Sequence, residues 1–272
     1  MKIILSCNED PVYRDFWPVV SSAYKAMGFD CHLAFLTNRS EDDGLVVKFR
    51  EFGAVTLFRP LSDIPEFGQA KMIRFILASW QRQEVCYIDD IDLFPLSKSF
   101  ITDKINKRPN GVLLCVGGEV YGFNGCYPIS QMTAEGYLWD NFINPKDLSC
   151  TDLLRSWKDH VFYDNRENIN IPVVIDTSTG GFKDDHYFSD ERLLKRLLVE
   201  NPVPKLELKR GYDNFLDATI DRATFKNDVW TYDREKLKAG GYVNAHCVRP
   251  YSGNEKHFEP LIEFIKENYE QR

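Results

Sequence analysis

Three carboxylates stand within four residues at Asp89-Asp90-Ile91-Asp92, directly after the apolar run Val85-Cys86-Tyr87-Ile88. Close like charges raise one another's pKa and oppose burial, so such a cluster calls for a cation among them. A divalent ion meets that need: oxygen donors suit the hard ions Mn²⁺ and Mg²⁺, which keep open positions for phosphate oxygens and so bridge protein to a diphosphate. The plainer reading is an acidic turn that merely ends a strand, and for an isolated Asp-x-Asp it wins most of the time. Here the preceding run is short and continuously apolar, as in a central strand covered on both faces. In open α/β sheets, ligands bind beyond the carboxyl ends of such strands.

Other residues have types and spacings that fit the same chemistry. Lys71 and Arg74, at i and i+3, share one face of an otherwise apolar helix. They either carry their charges out to solvent along their stems or point at a bound anion. His246 is followed three residues later by Arg249, a candidate metal ligand beside a candidate counter-charge for a diphosphate. Asp190 and Glu191 follow Ser189 at a helix start, where acids suit the macrodipole. One of them is alternatively the base that takes a proton from an acceptor hydroxyl in an inverting displacement. The aromatic stretch from Tyr121 to Tyr127 and Trp139 offer rings for stacking on a sugar or base, although core packing accounts for most of them.

The elements that must position these groups are those of an α/β fold: a mostly parallel central sheet flanked by helices. The first half alternates short β-rich runs with helical patterns. Strands are expected at Ile3 to Cys7, Cys31 to Leu36, Val55 to Phe58, Val85 to Ile88 and Val112 to Val116. Helices are expected at Pro11 to Met27 with Gly28 as a stop, at Glu41 to Phe52, and at Gln69 to Gln81, where apolar residues cover most of the circumference. Leu93-Phe94-Pro95-Leu96 closes the strand that carries the acids. Later, helices are expected at Glu135 to Ile143, at Asp190 to Glu200 and from about Glu255, with a strand at Val173 to Ile175 leading into the polar turn Asp176 to Gly181.

Composition excludes several classes. With 272 residues, 43% of them hydrophobic, the chain can bury a substantial core, and one domain over 1–272 is the expectation. A net charge of -7 argues against a nucleic-acid partner, which needs clustered Lys and Arg. The seven cysteines form no C-x-x-C pair and read as reduced, mostly buried thiols. No stretch reaches the length of a transmembrane segment and no signal peptide is evident, so a cytoplasmic location is expected.

The acid run resembles the Asp-x-Asp motif of GT-A-fold glycosyltransferases, the nucleotide-diphospho-sugar transferase superfamily. That resemblance implies a metal-dependent enzyme that moves a sugar, as a hexosyltransferase would, from a UDP- or GDP-sugar to a hydroxyl acceptor such as a glycan. It implies Asp90 and Asp92 as the metal or sugar contacts with Asp89 as a supporting acid, although Asp89-Asp90 also qualifies as the leading pair. Ser6-Cys7-Asn8, at the end of the first strand, would grip the nucleotide. Lys71 and Arg74 would approach the diphosphate. Thr179-Gly180-Gly181 with Asp190-Glu191 is similar to an acceptor-side loop and acidic pair. The segment Asn244 to Tyr251 resembles a late stretch that returns to the metal site, with His246 as third ligand and Arg249 as counter-charge. The chain would then divide into a nucleotide-binding half over about 1–120 and an acceptor half over about 121–272.

Two other functions fit the acids less well. A haloacid-dehalogenase-like phosphatase would carry its Asp-x-Asp on the first strand and usually follow it with Thr or Val. An intact acid cluster argues mildly against a non-catalytic protein that keeps the fold and binds a sugar nucleotide or glycan without turnover.

Overall fold

A computed structural model describes residues 1–116, 127, 129–162, 189–208 and 218–270. The expected strand at Val173 to Ile175, the turn from Asp176 to Gly181 and the aromatic stretch from Tyr121 to Cys126 lie outside the described residues.

The first strand, β1 (Lys2–Cys7), alternates its side chains between two core layers. Ile3, Leu5 and Cys7 join one cluster of buried apolar residues, while Ile4 joins the other. This period of two is what a strand buried on both faces requires. β2 (Asp30–Leu36) and β3 (Ala54–Phe58) extend the sheet to one side of β1, and β4 (Val85–Ile88) pairs with its other side, all of them parallel. Beyond β4, β7 (Met132–Glu135) runs antiparallel to both β4 and β6 (Leu113–Val116), and β8 (Lys205–Leu208) lies parallel to β6. The seven-stranded order is β3-β2-β1-β4-β7-β6-β8.

The helical periodicity from Pro11 to Met27 resolves into two helices, α1 (Pro11–Arg14) and α2 (Trp17–Ala26). Pro18 explains the break, since it has no N–H to continue the ladder and its ring would collide with the Arg14 carbonyl. Gly28, at φ 86°, takes the left-handed conformation that ends α2. α3 (Gly44–Arg50) is shorter than its acidic approach suggests, because Asp43 turns back to cap it by accepting from the Leu45 N–H at 2.9 Å.

α4 (Glu66–Trp80) packs across β1 and β2. It buries Met72, Ile73, Phe75, Ile76 and Leu77, each contributing roughly 1.5–3 kcal/mol relative to exposure. On its other flank lie α5 (Gly136–Ile143), α6 (Cys150–Phe162) and α7 (Ser189–Glu200). Trp139 of α5 stacks on Phe75 and is a core residue rather than a platform for a ligand.

Leu93 to Pro95 does not close the acid-bearing strand. It forms β5 (Leu93–Pro95) in a separate sheet with β12 (Asn244–His246) and β9 (Thr219–Ile220), in the order β5-β12-β9, while β10 (Phe225–Lys226) and β11 (Val229–Trp230) pair only with each other among the described residues. β12 runs antiparallel to β5, with His246 opposite Leu93. The chain leaves the large sheet at Ile88, passes through the three acids and enters the small sheet at Leu93, so the acids occupy the junction between the two.

Candidate functional site

The alternation that organises β4 continues past its end and separates the first two acids. Tyr87 packs in the same core layer as β1's Ile3 and Leu5, while Ile88 packs in the opposite layer with Ile4. Asp89 follows Tyr87, and its carboxylate accepts a 2.6 Å hydrogen bond from the hydroxyl of Tyr24 on α2. It is 2% exposed. Burial pushes this carboxyl up to about 8, against the lowering pull of the Tyr24 hydroxyl. Asp89 also accepts from the Asp90 N–H at 3.0 Å, so it braces the turn from below the site.

Asp90 follows Ile88 to the α4 side and accepts from Arg74 Nη1 at 2.6 Å. The same guanidinium donates through Nη2 to Asp190 Oδ2 at 3.0 Å, and Lys71 Nζ stands 3.8 Å from the other Asp190 oxygen. Arg74 is 3% exposed and Asp190 1%. Burial works against the charge on Arg74, but Asp90 and Asp190 outweigh it and hold its pKa up. Arg74 is therefore neither turned to solvent nor free for a phosphate; it joins the acid motif to the first turn of α7. Glu191, beside Asp190, is half-buried, and desolvation together with the charges of Asp190 and Asp90 pushes its carboxyl up to about 8. Its Oε2 has no hydrogen-bond partner among the described residues.

Asp92 has different company. Its Oδ2 accepts from Arg222 Nη1 at 2.9 Å, and lies 3.3 Å from Arg249 Nε and 3.6 Å from His246 Nε2. Pairing of β12 with β5 creates this meeting, since the Cys247 N–H donates to the Asp92 carbonyl at 2.9 Å and fixes His246 alongside. Burial alone would raise the Asp92 carboxyl, but the neighbouring His246 and the charges of Arg249 and Arg222 hold it well below the usual carboxylate range. Arg249 is itself anchored: its guanidinium lies over the Tyr13 ring, 5.0 Å from the centroid, and bonds to the Tyr13 hydroxyl.

At the end of β1, Cys7 packs into the core and burial pushes its thiol up, so its side chain is turned away from any ligand. Ser6 and Asn8 are half-buried. Thr179-Gly180-Gly181 lies outside the described residues. Tyr13, Tyr24 and Arg222 are parts of the site that the sequence motifs do not name. Tyr24 had a signal, being an aromatic with a polar tip four residues from Val20 on the buried face of α2. Arg222 sits in a polar stretch with no spacing to mark it.

The donor types present fit a hard divalent ion: Asp92 oxygen and His246 nitrogen are neighbours, and the Asp90 side chain is about one-third exposed two residues away. Among the described residues, no three His, Cys, Asp or Glu side chains are gathered closely enough to hold an ion in this arrangement. Asp90 is engaged by Arg74, and Asp92 by two guanidinium groups.

The galactosyltransferase LgtC, solved in complex with donor and acceptor sugar analogs, superposes over 96% of this chain and 95% of its own, with a TM-score of 0.51 at 11% identity. This chain has the GT-A fold. An active-site variant of LgtC matches the GT-A fold of this chain over the same shares, with a TM-score of 0.51 and 10% identity. The glycosyltransferase GlyE of Streptococcus pneumoniae, in its apo form, aligns with 99% of this chain at 12% identity and a TM-score of 0.49; the chain spans 63% of GlyE's length. No family model and no curated protein matches the sequence.

Proposed function

We propose that this chain is a glycosyltransferase of hexosyltransferase type, which moves a sugar from a UDP- or GDP-sugar donor to a hydroxyl acceptor, with a glycan as the acceptor class. The observation that carries this reading is the contact of Asp92 with His246 at the carboxyl end of β4 within a GT-A fold. LgtC, which shares the fold, is a galactosyltransferase solved with donor and acceptor sugar analogs.

Asp90, Asp92 and His246 would hold Mn²⁺ or Mg²⁺, which supplies charge neutralisation for the departing diphosphate. Arg249 adds a guanidinium already oriented by Tyr13, so the leaving group meets a fixed positive charge rather than reorganising water. Lys71 and Arg74 act one layer deeper, keeping Asp90 and Asp190 in place. Ser6 and Asn8, with the backbone of Cys7, border the nucleotide's side of the site. Glu191 is the better of the two candidate bases, since Asp190 is tied to Arg74 whereas the Glu191 Oε2 has no partner among the described residues. An inverting displacement would use it to take the acceptor's proton.

The chain works as one domain over 1–272 in this reading, with the nucleotide over about 1–120 and the acceptor over about 121–272. Six cysteines are free among the described residues, five of them buried, which supports a reducing, cytoplasmic setting. No helix among the described residues is long and apolar enough to cross a membrane, and the net charge of -7 disfavours a nucleic-acid partner.

Calorimetric titration of UDP and GDP, with and without Mn²⁺, tests the proposal. Binding of one nucleotide that tightens with Mn²⁺, together with donor-sugar turnover that disappears in Asp92→Ala, is the expected result. Failure of every nucleotide diphosphate to bind overturns it.

A further inference from the structure

The last turn of α4 leaves a large ring in water. Trp80 is 50% exposed, whereas Trp17, Trp139, Trp157 and Trp230 are buried. One face of its indole stacks on Phe58, with centroids 5.2 Å apart and planes 13° from parallel. The opposite face is thereby held open as a flat apolar platform. A second ring lies across the following turn: Tyr137, near the start of α5, is 44% exposed. Its hydroxyl has no hydrogen-bond partner among the described residues.

The backbone between the two rings is clamped. Gly136 sits so close to the turn that a Cβ there would come within 2.1 Å of the Gln81 carbonyl oxygen. The Gly136 N–H donates to the Glu84 carbonyl at 2.8 Å, and the Tyr137 N–H to the Arg82 carbonyl at 3.2 Å. The rings therefore keep their spacing without an ordering cost when something binds. Arg82, in the turn itself, bonds to Asp140. Asp140 and Asn141 share the exposed face of α5 with Tyr137, three and four residues earlier. The Asn141 side-chain amide has no partner among the described residues.

A surface of this composition suits one ligand chemistry. A pyranose ring has a face of C–H groups, which packs on an aromatic ring, and a rim of hydroxyls, each both donor and acceptor. The carboxylate, guanidinium and amide beside the rings meet that rim. A protein partner is favoured less, because an ion pair interrupts the exposed aromatic area and no contiguous apolar patch forms. We infer that Trp80 and Tyr137 form a non-catalytic binding site for a neutral glycan chain, with Arg82, Asp140 and Asn141 supplying hydrogen bonds to its hydroxyls. Glu135 pairs with Val85 at the amino end of β4, whereas the acids leave its carboxyl end, so this surface lies across the large sheet from Asp90 and Asp92. A polymer held here would be presented to the donor side at raised effective concentration. That consequence rests on the function proposed above; the binding itself does not.

Titration calorimetry with maltohexaose, cellohexaose and chitohexaose as probes measures binding. Acrylamide quenching of fluorescence locates it, because Trp80 is the one half-exposed tryptophan of the five. One hexasaccharide is expected to bind the wild type and to shield Trp80 from acrylamide. Trp80→Ala and Tyr137→Ala, with folding checked by circular dichroism, are each expected to weaken that binding about tenfold, the scale of one ring contact. Should Trp80→Ala fail to fold, Tyr137→Ala decides. No binding of any of the three probes, or binding that neither shields Trp80 nor weakens in the variants, overturns the inference. So does a dimer in sedimentation velocity that Trp80→Ala dissociates, since a second copy of the chain then covers the rings. If UDP and GDP both fail to bind while a hexasaccharide shields Trp80, the donor reading falls and this site stands.

Discussion

Asp90 and Asp92 sit two residues apart, yet their surroundings are inverted. Around Arg74, one buried guanidinium is shared by two carboxylates, Asp90 and Asp190. Around Asp92, one buried carboxylate is shared by two guanidinium groups and an imidazole. The first group is built from elements of the large sheet and its helices and, with Lys71 also beside Asp190, matches two cations to two carboxylates; the second brings late segments of the chain to Asp92 and leans positive. Under the proposed function an incoming nucleotide diphosphate brings negative charge, which would gain most on the Asp92 side. The Arg74 side has its charge internally balanced and serves as support.

The most severe way to break this contrast is Arg74→Met, which leaves two carboxylates without their shared cation. Removing one partner of a buried ion pair costs about 3–5 kcal/mol, so a loss of that size in urea unfolding is expected. A loss under about 1 kcal/mol, the range of a surface pair, would show that the group is not a structural knot.

Glu191→Gln sharpens the catalytic side of the comparison. The Glu191 carboxyl, raised from 4.5 to about 8 in the folded protein, keeps its proton across a window in which the unfolded chain has released it. Between those values the native state binds more protons, so stability falls as pH rises. Glu191→Gln is expected to remove that decline from a profile of melting temperature against pH. If Glu191 is the base, wild-type transfer climbs through about pH 8, and the variant loses on the order of 100-fold and the climb with it. Retention of the climb removes Glu191 from the reaction.

The smallest effect belongs to Tyr24→Phe, which deletes the hydroxyl that donates to Asp89. A loss of about 1–2 kcal/mol is expected near neutral pH, growing above about pH 8 as Asp89 ionises without its donor. Fluorescence-monitored unfolding at pH 7 and pH 9 checks both the size and the direction.

The strand–helix alternation of the first half was legible because burial on both faces leaves continuous apolar runs such as Val85 to Ile88 and Leu113 to Val116. β7 was not, because Met132-Thr133-Ala134-Glu135 has mixed polarity and runs straight into α5, so nothing marks Met132 to Ala134 as a strand and Glu135 reads as the helix start. β8 was missed because its burial is slight. In the site, the sequence pointed to Asp92 with His246, since each lies in a recognisable local pattern. It left Arg74 open between solvent and a bound anion and gave no sign of its two carboxylate partners, 16 and 116 residues away. It passed over Arg222, which meets Asp92 across 130 residues. Tertiary charge pairing leaves no periodic trace along a chain, so only those halves that happen to sit in motifs can be read from it.

The three-stranded sheet that joins Leu93–Pro95 to Asn244–His246 and Thr219–Ile220 has a consequence for the order of folding. Parallel strands β1 to β4 are complete by residue 88 and can begin to collapse while the rest of the chain is still on the ribosome. Asp92 must wait for partners that emerge far later, and closing so long a loop delays its contacts further. Through most of synthesis the acid is present without its counter-charges. The cluster around Asp92 is thus assembled at the end, and a chain released before its last strand has the parallel strands of the large sheet without the groups that surround that acid.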